Sequence, residues 1–392
     1  MNRVARMLWA GRPLVHCITN FVSMDWMARG LLTVGARPVM VHACAEVAGM
    51  AAAASALLLN QGTWSGEQHE SMKLAAAAAK QAGRPVVLDP VGAGALPVRT
   101  AAAMELLRSG LVTAIRGNAG EILALAGESG RTRGVDSADV GAEGRLRQAA
   151  MELARQFDCL VVATGKVDLV TNGRESLVIR GGDERLTEIP GAGCLGGAVL
   201  AALLGAWATQ GASSDLLALV AELQLWLKVG AEGTVSGGIG TFGDRYLDAL
   251  QAGADLPEGR IRAPLADLLR LNVLLDGSAT EALVDDLLAA GVRSIQFREK
   301  RQEMSEQLAA ARLIRAKCQA AGALFLVNDR LDLALAVAAD GVHLGQTDLP
   351  VTIARRLLPA GAVIGLSAAT PAEARAGVMD GADYLGTGAV YA

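Results

Sequence analysis

Short, continuous apolar runs alternate with Ala-rich helical stretches along this chain. Strands that are buried on both faces have this pattern, because helices cover both sides of a parallel sheet. Several runs end in polar residues, namely Asn20, Asp89, Arg116 with Asn118, and Thr164. Ligands bind beyond the carboxyl ends of the strands in such sheets. The alternation therefore predicts an α/β fold with a candidate site at these strand ends.

One glycine-rich stretch precedes a long apolar run. Residues 189–194 read Ile-Pro-Gly-Ala-Gly-Cys, and residues 195–208 can form a helix of roughly four turns. A tight turn that opens a helix directs backbone N–H groups at one point, where an anion is favoured. Cys194 falls in the first turn, where we expect a lowered thiol pKa. An anion site beside a base suits phosphoryl transfer to a hydroxyl, although a plain loop before a core helix has the same pattern.

Size and composition restrict the classes of protein to consider. A chain of 392 residues predicts two domains. A net charge of −4 leaves no basic surface for nucleic acid. The N-terminus lacks the apolar segment of a signal peptide, and the apolar part of residues 189–214 is too short to span a membrane. Scattered cysteines predict a reduced, cytoplasmic protein without structural zinc: Cys17, Cys44, Cys159, Cys194 and Cys318.

Six segments occur in order within residues 7–252: VHCITN (15–20), DPVGAGA (89–95), IRGNAGE (115–121), GVDS (134–137), ATG (163–165) and GAGC (191–194). Together they resemble the hydroxyethylthiazole kinases, which have a ribokinase-like α/β/α fold. The resemblance implies phosphorylation of 4-methyl-5-(2-hydroxyethyl)thiazole by ATP with Mg²⁺, and a homo-oligomer, a trimer, that builds its site between subunits. A kinase of another hydroxymethyl heterocycle on this fold remains an alternative.

The resemblance also implies a role for each matching residue. Cys194 is the catalytic base, and Gly191, Ala192 and Gly193 form an anion hole for the transferred phosphoryl group. Arg116 and Thr164 contact the ATP phosphates, and Asp89 and Glu121 organise Mg²⁺ and its waters. Met40, Gly191 and Asn20 border the thiazole. One departure is Pro190, where the family usually has threonine.

Residues 253–267 contain Gly, Pro and charged residues without clear periodicity, and they predict a linker between domains 1–252 and 268–392. The alternation of strands and helices then restarts. In residues 294–300, strand geometry would place Gln296, Arg298 and Lys300 on one face, as an anion-binding row or as a solvated edge. Thr370 to Glu373 predicts a capping box at the start of a helix.

This second part resembles thiamine-phosphate synthase, a (β/α)₈ barrel. The matching segments are QFREK (296–300), VNDR (327–330), ADGVHLGQ (339–346) with Asp348, and ADYLG (382–386). The resemblance implies that the aminopyrimidine diphosphate contacts Gln296, Arg298, Lys300, Asn328 and Ser367, and that Asp329 and Asp348 bind Mg²⁺. The two resemblances together indicate a bifunctional protein of thiamine biosynthesis, in which the first domain makes the substrate of the second.

The second part is shorter than a complete barrel. We count six strands where the fold has eight, and the family's next segment, Thr-x-Thr-Lys, would follow Ala392. We therefore expect an incomplete TIM-barrel domain with a pyrimidine-side half-site and no thiazole-phosphate side. The chain would then be truncated, or the module inactive or completed by another chain. A kinase with a non-catalytic binding or assembly module is the corresponding alternative.

Overall fold

The structure is a computed structural model. It describes residues 1–128, 142–211, 215–234, 238–257, 260–359 and 361–388. The chain divides into two compact units between Ile261 and Arg262. The segment GVDS (134–137) and the last four residues lie outside the described part of the chain.

Unit 1 contains a nine-stranded sheet in the order β2-β1-β3-β4-β5-β6-β7-β8-β9. Neighbouring strands from β2 to β6 are parallel, whereas β7 is antiparallel to both β6 and β8. The strands are β1 (Leu14–Ile18), β2 (Arg37–Val39), β3 (Ala56–Asn60), β4 (Val86–Asp89), β5 (Ala114–Asn118), β6 (Leu160–Thr164), β7 (Val167–Thr171), β8 (Ser176–Arg180) and β9 (Ile261–Arg262).

Helices flank these strands in the chain order that the alternation predicts. They are α1 (Arg3–Gly11), α2 (Met24–Thr33), α3 (Cys44–Ala53), α4 (Gly66–Gln81), α5 (Pro97–Arg108), α6 (Ala119–Leu125), α7 (Ala142–Phe157), α8 (Ala192–Gln210), α9 (Leu216–Glu232) and α10 (Ile239–Ala252), with a 3₁₀ turn at Glu184–Glu188. A strand was expected at residues 38–42, but the observed strand β2 ends at Val39. The segment expected to be a linker contains β9 and a one-turn helix, α11 (Leu265–Leu268).

Alternate residues of the central strands enter two separate apolar cores. Leu58 and Val87 belong to the core beside α1, α2 and α8–α10, whereas Leu57 and Leu88 belong to the core beside α3–α7. Both faces of the sheet are therefore buried, which explains why these strands are apolar throughout. This arrangement confirms the expected α/β/α architecture.

Helix α8 is the central helix of one of these cores. It packs on β1, β3 and β4, and its residues from Leu195 to Ala206 are all buried. By length and composition alone this helix could cross a membrane, but two thirds of its most apolar window is buried inside the fold. A helix that is apolar all round is typical of a protein core, and here its neighbours account for that character.

Unit 2 is a sheet of six parallel strands in sequence order. The strands are β10 (Asn272–Leu275), β11 (Ser294–Phe297), β12 (Leu324–Asn328), β13 (Gly341–Leu344), β14 (Val363–Ser367) and β15 (Tyr384–Gly386), and the helices between them are α12 (Glu281–Ala289), α13 (Met304–Ala320), α14 (Leu331–Ala336), α15 (Val351–Leu357) and α16 (Pro371–Met379). All six expected strands of an incomplete barrel are present among the residues that the structure describes. The expected Thr370–Glu373 capping box is present at the start of α16.

Candidate active sites

The polar residues of unit 1 gather at the carboxyl ends of five neighbouring strands. Asn20 follows β1, and Asn60 and Asp89 are the last residues of β3 and β4. Arg116 lies within β5, and Thr164 ends β6. Because these strands are parallel neighbours, their carboxyl ends meet at one edge of the sheet, where ligands of such folds bind. The structure therefore brings these polar residues together at the strand ends, as the sequence analysis expected.

Three buried side chains form a hydrogen-bonded row across β1, β3 and β4. Asn20 Nδ2 donates to Asn60 Oδ1 over 2.8 Å, and Asn60 Nδ2 donates to Asp89 Oδ2 over 2.7 Å. Asn60 is fully buried and links the two expected site residues. The sequence analysis missed Asn60, although its position at the end of an apolar run is the same signal that identified Asp89.

The start of α8 closes over this row. Gly191 has φ +90°, and a Cβ atom there would lie 2.4 Å from the Cβ of Ser23, so glycine is required on both counts. Cys194, in the first helical turn, accepts a hydrogen bond at Sγ from Asn20 Nδ2 over 3.3 Å. The Ser23 N–H and hydroxyl both donate to Asn20 Oδ1, each over 2.9 Å. Asn20 is thereby fixed with its amide group toward the thiol.

The pKa of the Cys194 thiol is raised, not lowered as we expected. Burial and the neighbouring Asp89 carboxylate raise its pKa, while hydrogen bonds from Ser23, Asn60 and Asn20 act in the opposite direction. The helix start was expected to lower this pKa, but the sequence could not reveal that Asp89 lies close by. In the structure, removal of the thiol from water and the nearby negative charge outweigh the hydrogen bonds.

Arg116 is buried rather than part of a surface ion pair. Its Nη1 donates to the carbonyl oxygen of Gly193 over 2.7 Å, which ties β5 to the first turn of α8. Its buried Nε has no hydrogen-bond acceptor among the described residues. A Cβ atom on Gly196 would lie 2.3 Å from Arg116 Nη2, so the glycine leaves room for the guanidinium. This cation beside a helix N-terminus forms an environment that suits an anion.

Asp89 and Glu121 place two buried carboxyl groups near Arg116. Burial and the charge of Glu121 raise the pKa of Asp89 to about 7, against the opposing effects of Arg116 and Asn60. Burial also raises the pKa of Glu121, although Glu121 accepts N–H groups from Gly92 at 3.0 Å and from Asn118 at 2.8 Å. Glu121 also forms a capping box with Asn118 at the start of α6.

A buried ion pair that the sequence analysis missed anchors the turn that follows Thr164. Thr164 Oγ1 donates to the carbonyl of Gly117 over 3.3 Å. The next residue, Gly165, donates its N–H to Asp168 over 2.9 Å, and its carbonyl accepts from Lys228 Nζ over 2.9 Å. Lys228 and Asp168 also form a salt bridge of 3.1 Å, with both side chains over 90% buried. The turn after β6 is therefore anchored on both sides by α9 and β7.

The remaining candidates of unit 1 lie near the loops after β1 and β2. Met40 is half-buried and packs against the core that contains α8. His42 Nε2 contacts the backbone N–H of Thr19 at 3.1 Å, and His16 Nε2 contacts the Val41 carbonyl at 2.8 Å. Both imidazole rings are therefore held by the backbone of neighbouring loops and strands.

In unit 2, amide side chains connect β10, β11 and β12. Asn272 Nδ2 donates to Gln296 Oε1 over 2.9 Å, and Gln296 Nε2 donates to Asn328 Oδ1 over 2.7 Å. The expected row of Gln296, Arg298 and Lys300 along one strand is wrong, because β11 ends at Phe297. Arg298 and Lys300 lie in the loop that follows, where the alternation of side chains along a strand no longer applies.

Two carboxyl groups also meet in unit 2. Asp329 follows β12 with φ +61°, and burial together with a hydrogen bond and charge from Asp348 raises its pKa. Lys300 Nζ lies 3.8 Å from Asp329 Oδ2, and the N–H of Gly345 donates to Asp348 Oδ2 over 2.7 Å. Ser367 ends β14, and its Oγ lies 2.9 Å from Nε2 of His343.

Comparisons with known proteins identify a family for each of the two units. The model of the hydroxyethylthiazole kinase family matches residues 6–254, and that of thiamine monophosphate synthase matches residues 273–392. The chain belongs to the hydroxyethylthiazole kinase family. Its second unit is a thiamine monophosphate synthase-like module, so the chain is a two-part enzyme of thiamine biosynthesis.

Individual relatives have the same organisation in whole or in part. The thiamine biosynthesis bifunctional protein ThiM/ThiE of Symbiobacterium thermophilum is 51% identical over 97% of this chain and 81% of its own length. The hydroxyethylthiazole kinase of Rubrobacter xylanophilus is 44% identical over 66% of this chain and 95% of its own length. The structure of a hydroxyethylthiazole kinase protein from Pyrococcus horikoshii is 34% identical, with a TM-score of 0.57 over 64% of this chain and 92% of that one.

The two carboxyl pairs of this kinase–synthase chain fit magnesium. The described residues contain no group of three or more His, Cys, Asp or Glu side chains arranged as a metal site. Mg²⁺, however, keeps several waters and takes only one or two protein carboxylates together with substrate phosphates. In each pair the neighbouring carboxyl group disfavours ionisation of its partner, a penalty that a divalent cation would offset.

Proposed function

We propose that unit 1 phosphorylates the hydroxyl group of 4-methyl-5-(2-hydroxyethyl)thiazole with ATP and Mg²⁺. The observation that carries the proposal is the arrangement at the start of α8. There the Cys194 thiol, the exposed end of the helix backbone and the Arg116 guanidinium surround the ends of β1, β3, β4 and β5. Membership of the kinase family supports the same reaction.

In this proposal the thiazole lies beside Asn20, Met40 and Gly191. Cys194 accepts the proton of the substrate hydroxyl, and the hydroxyl oxygen attacks the terminal phosphorus of ATP. A thiol of raised pKa is rarely ionised in the free protein, but its thiolate is a correspondingly stronger base. The orienting hydrogen bond from Asn20 holds the sulfur in place for this transfer.

The anion hole of Gly191, Ala192 and Gly193 would stabilise the charge on the transferred group. The first N–H groups of a helix have no intrahelical partner and can donate to an oxyanion. The Ala192 N–H donates to the Ile189 carbonyl over 3.1 Å, so it would have to exchange that acceptor for the phosphoryl oxygen. Arg116 is held beside this turn by the Gly193 carbonyl, and its buried Nε has no acceptor among the described residues. Thr164 would contact the ATP phosphates from the end of β6.

Asp89 and Glu121 would hold Mg²⁺ and its waters. The cation supplies charge neutralisation between the phosphate groups. Asn60 then orients Asp89 through a 2.7 Å hydrogen bond, and Gly92 and Asn118 orient Glu121.

For unit 2 we propose binding of the aminopyrimidine diphosphate by Gln296, Arg298, Lys300, Asn328 and Ser367. Asp329 and Asp348 would hold Mg²⁺ at the diphosphate. The corresponding reaction breaks the bond between the pyrimidine methylene carbon and pyrophosphate, and the thiazole nitrogen forms a bond to that carbon. The residues of the chain orient the reactants and stabilise the departing charge.

The proposal includes a cytoplasmic homo-oligomer, a trimer by resemblance, divided into domains 1–252 and 268–392. The five cysteines support a reducing compartment, since all of them are free thiols. The position of Ser23 and Asn20 at a loop with exposed Phe21 and Val22 is compatible with a neighbouring subunit at this site.

A coupled assay on this chain tests both activities. The protein is incubated with hydroxyethylthiazole, ATP and Mg²⁺, the aminopyrimidine diphosphate is added, and both products are followed by mass spectrometry. Thiazole phosphate supports the kinase, and thiamine phosphate in addition supports turnover by unit 2. Thiazole phosphate alone favours a binding or assembly role for unit 2. With neither product, a panel of hydroxymethyl heterocycles would test for a different kinase substrate.

A further inference from the structure

A row of side chains crosses three neighbouring strands of unit 2. His343 on β13, Gly365 on β14 and Tyr384 on β15 are register partners. The imidazole of His343 contacts the Tyr384 hydroxyl through Nδ1 at 2.9 Å and the Ser367 hydroxyl through Nε2 at 2.9 Å. Ser367 is two residues beyond Gly365, so its side chain projects from the same face of the sheet.

Two glycines leave the space that this row occupies. A Cβ atom on Gly365 would lie 2.2 Å from Tyr384 Cζ and 2.5 Å from His343 Nδ1. A Cβ atom on Gly386 would lie 2.9 Å from His343 Cε1. The two rings lie with centroids 5.4 Å apart above these positions. Any larger residue at position 365 would separate the rings, so the contact is built into the sheet.

The positions of the protons follow from the number of donors and acceptors. Burial raises the pKa of Tyr384, so the phenol keeps its proton, and each ring nitrogen of His343 shares one hydrogen bond with a hydroxyl group. A neutral imidazole has one N–H group and one acceptor nitrogen. A phenol is a stronger donor and a weaker acceptor than a serine hydroxyl, so the Tyr384 O–H donates to Nδ1. The imidazole proton is then on Nε2, which donates to Ser367.

We propose that Tyr384 and His343 are positioning residues that make the Ser367 hydroxyl a hydrogen-bond donor to the bound substrate. With its oxygen accepting from His343, Ser367 can direct its own proton only at another acceptor. That acceptor is either a ring nitrogen of the aminopyrimidine or an oxygen of the diphosphate. In the opposite tautomer, with the proton on Nδ1, Ser367 would donate its proton to Nε2 of His343. Its oxygen could then only accept a hydrogen bond from the substrate. This inference rests on the proposed binding of the aminopyrimidine diphosphate by unit 2.

The tautomer can be measured without any ligand. The chain has four histidines, so ¹⁵N-histidine labelling gives a small set of NMR signals, and His343→Gln assigns the one of interest. We expect the Nε2–H tautomer in the unmodified chain and a mixture of tautomers in Tyr384→Phe, which retains the ring but lacks the donor. An Nδ1–H tautomer in the unmodified protein would overturn the proposal.

Binding supplies the second test. Calorimetry with the aminopyrimidine diphosphate should give about two- to tenfold weaker binding for Tyr384→Phe, the effect of one neutral hydrogen bond. In a Ser367→Ala background the same substitution should have no further effect, because the hydroxyl that it orients is gone. An equal loss in both backgrounds would mean that Tyr384 acts only through structure and would refute the inference.

Two comparisons separate the possible outcomes. If Ser367 donates to the diphosphate, Tyr384→Phe should also weaken the binding of inorganic pyrophosphate alone. If the substitution weakens only the binding of the complete ligand, Ser367 donates to the pyrimidine ring. If the unmodified chain does not bind the complete ligand, the proposed function of unit 2 is refuted. The NMR measurement of the His343 tautomer needs no ligand, so it still tests the hydrogen bonds among Tyr384, His343 and Ser367. Kinase activity and the thermal unfolding profile of each variant control for protein quality.

Discussion

Replacement of Gly196 by alanine tests whether the position of Arg116 controls the use of ATP. The new Cβ atom would lie 2.3 Å from Nη2, 2.5 Å from Cζ and 3.0 Å from Nε of Arg116. These distances are too short, so the guanidinium must move away from the Gly193 carbonyl. Folding should not suffer, because the displaced atoms are the end of a flexible side chain and alanine favours a helix over glycine by about 1 kcal/mol.

The magnitude follows from the contact that Arg116 would lose. A hydrogen bond that involves a charged group contributes about 1.5–3 kcal/mol. If the guanidinium makes one such contact to the ATP phosphates, its displacement should lower kcat/KM for ATP by about tenfold to 150-fold. Steady-state kinetics with ATP varied at saturating thiazole measures this change, and thermal unfolding measures stability in parallel.

Two other glycine-to-alanine changes serve as controls. Gly49→Ala in α3 meets no atom within 4 Å and should leave both measurements near their original values. Gly205→Ala in α8 places Cβ 2.9 Å from the carbonyl oxygen of Ser55, so it should destabilise the protein with little effect on kcat/KM for ATP. The reasoning is refuted if Gly196→Ala retains the original kcat/KM, or if its only effect is the loss of stability seen with Gly205→Ala.

Two further substitutions test the base and the buried ion pair of unit 1. Cys194→Ala should lower kinase kcat by about 10²–10⁴-fold with nearly unchanged ATP binding, as measured by kinetics and calorimetry, because it removes only the proton acceptor; an unchanged kcat would exclude the assignment. Lys228→Met should lower the free energy of unfolding by about 3–5 kcal/mol in urea titrations, because it leaves the buried Asp168 without its partner. The double variant with Asp168→Asn should recover part of that loss, and an equal loss in both variants would contradict the explanation.

The fold could be predicted from sequence because its main signals are local. Apolar runs, helix-ending glycines such as Gly35 and Gly322, and the capping residue Thr370 each indicate a boundary without reference to distant parts of the chain. The parallel order then brings the polar residues that follow the strands to one edge. For this reason the gathering of these polar residues at one edge of the sheet in unit 1 was also predictable.

The connections within the site were not predictable, because they join residues that are far apart in sequence. Asn60 links Asn20 to Asp89, and Lys228 reaches the turn at Gly165 from a helix sixty-three residues away. Asn60 ends an apolar run as Asp89 does, but nothing local shows which residues it joins, and no local pattern distinguishes Lys228 from other polar residues in apolar segments. The row predicted for Arg298 and Lys300 failed for a related reason, since a sequence does not show at which residue a short strand ends.

The pKa of Cys194 also depends on a residue that is distant in sequence, because the Asp89 carboxylate contributes to raising it. The substitution Asp89→Asn tests this dependence. The pKa of Asp89 is raised to about 7, so its ionisation is disfavoured in the folded, metal-free protein. The stability contributed by its neutral form is complete below about pH 4 and is lost as the pH rises towards 7. This part of the pH dependence should be absent in Asp89→Asn, whose amide oxygen can still accept from Asn60.

The same substitution should change the reactivity of the thiol in a pH-dependent way. Above pH 7 the ionised Asp89 raises the pKa of Cys194, so the Asp89→Asn variant should have more thiolate and react faster with iodoacetamide. Near pH 6 Asp89 is mostly protonated, so the two proteins should react at similar rates. Peptide-resolved mass spectrometry follows Cys194, with the partly exposed Cys44 as the internal control. A rate ratio that stays constant between pH 6 and 8 would show that burial alone, and not the carboxylate beside it, sets the state of the proposed base.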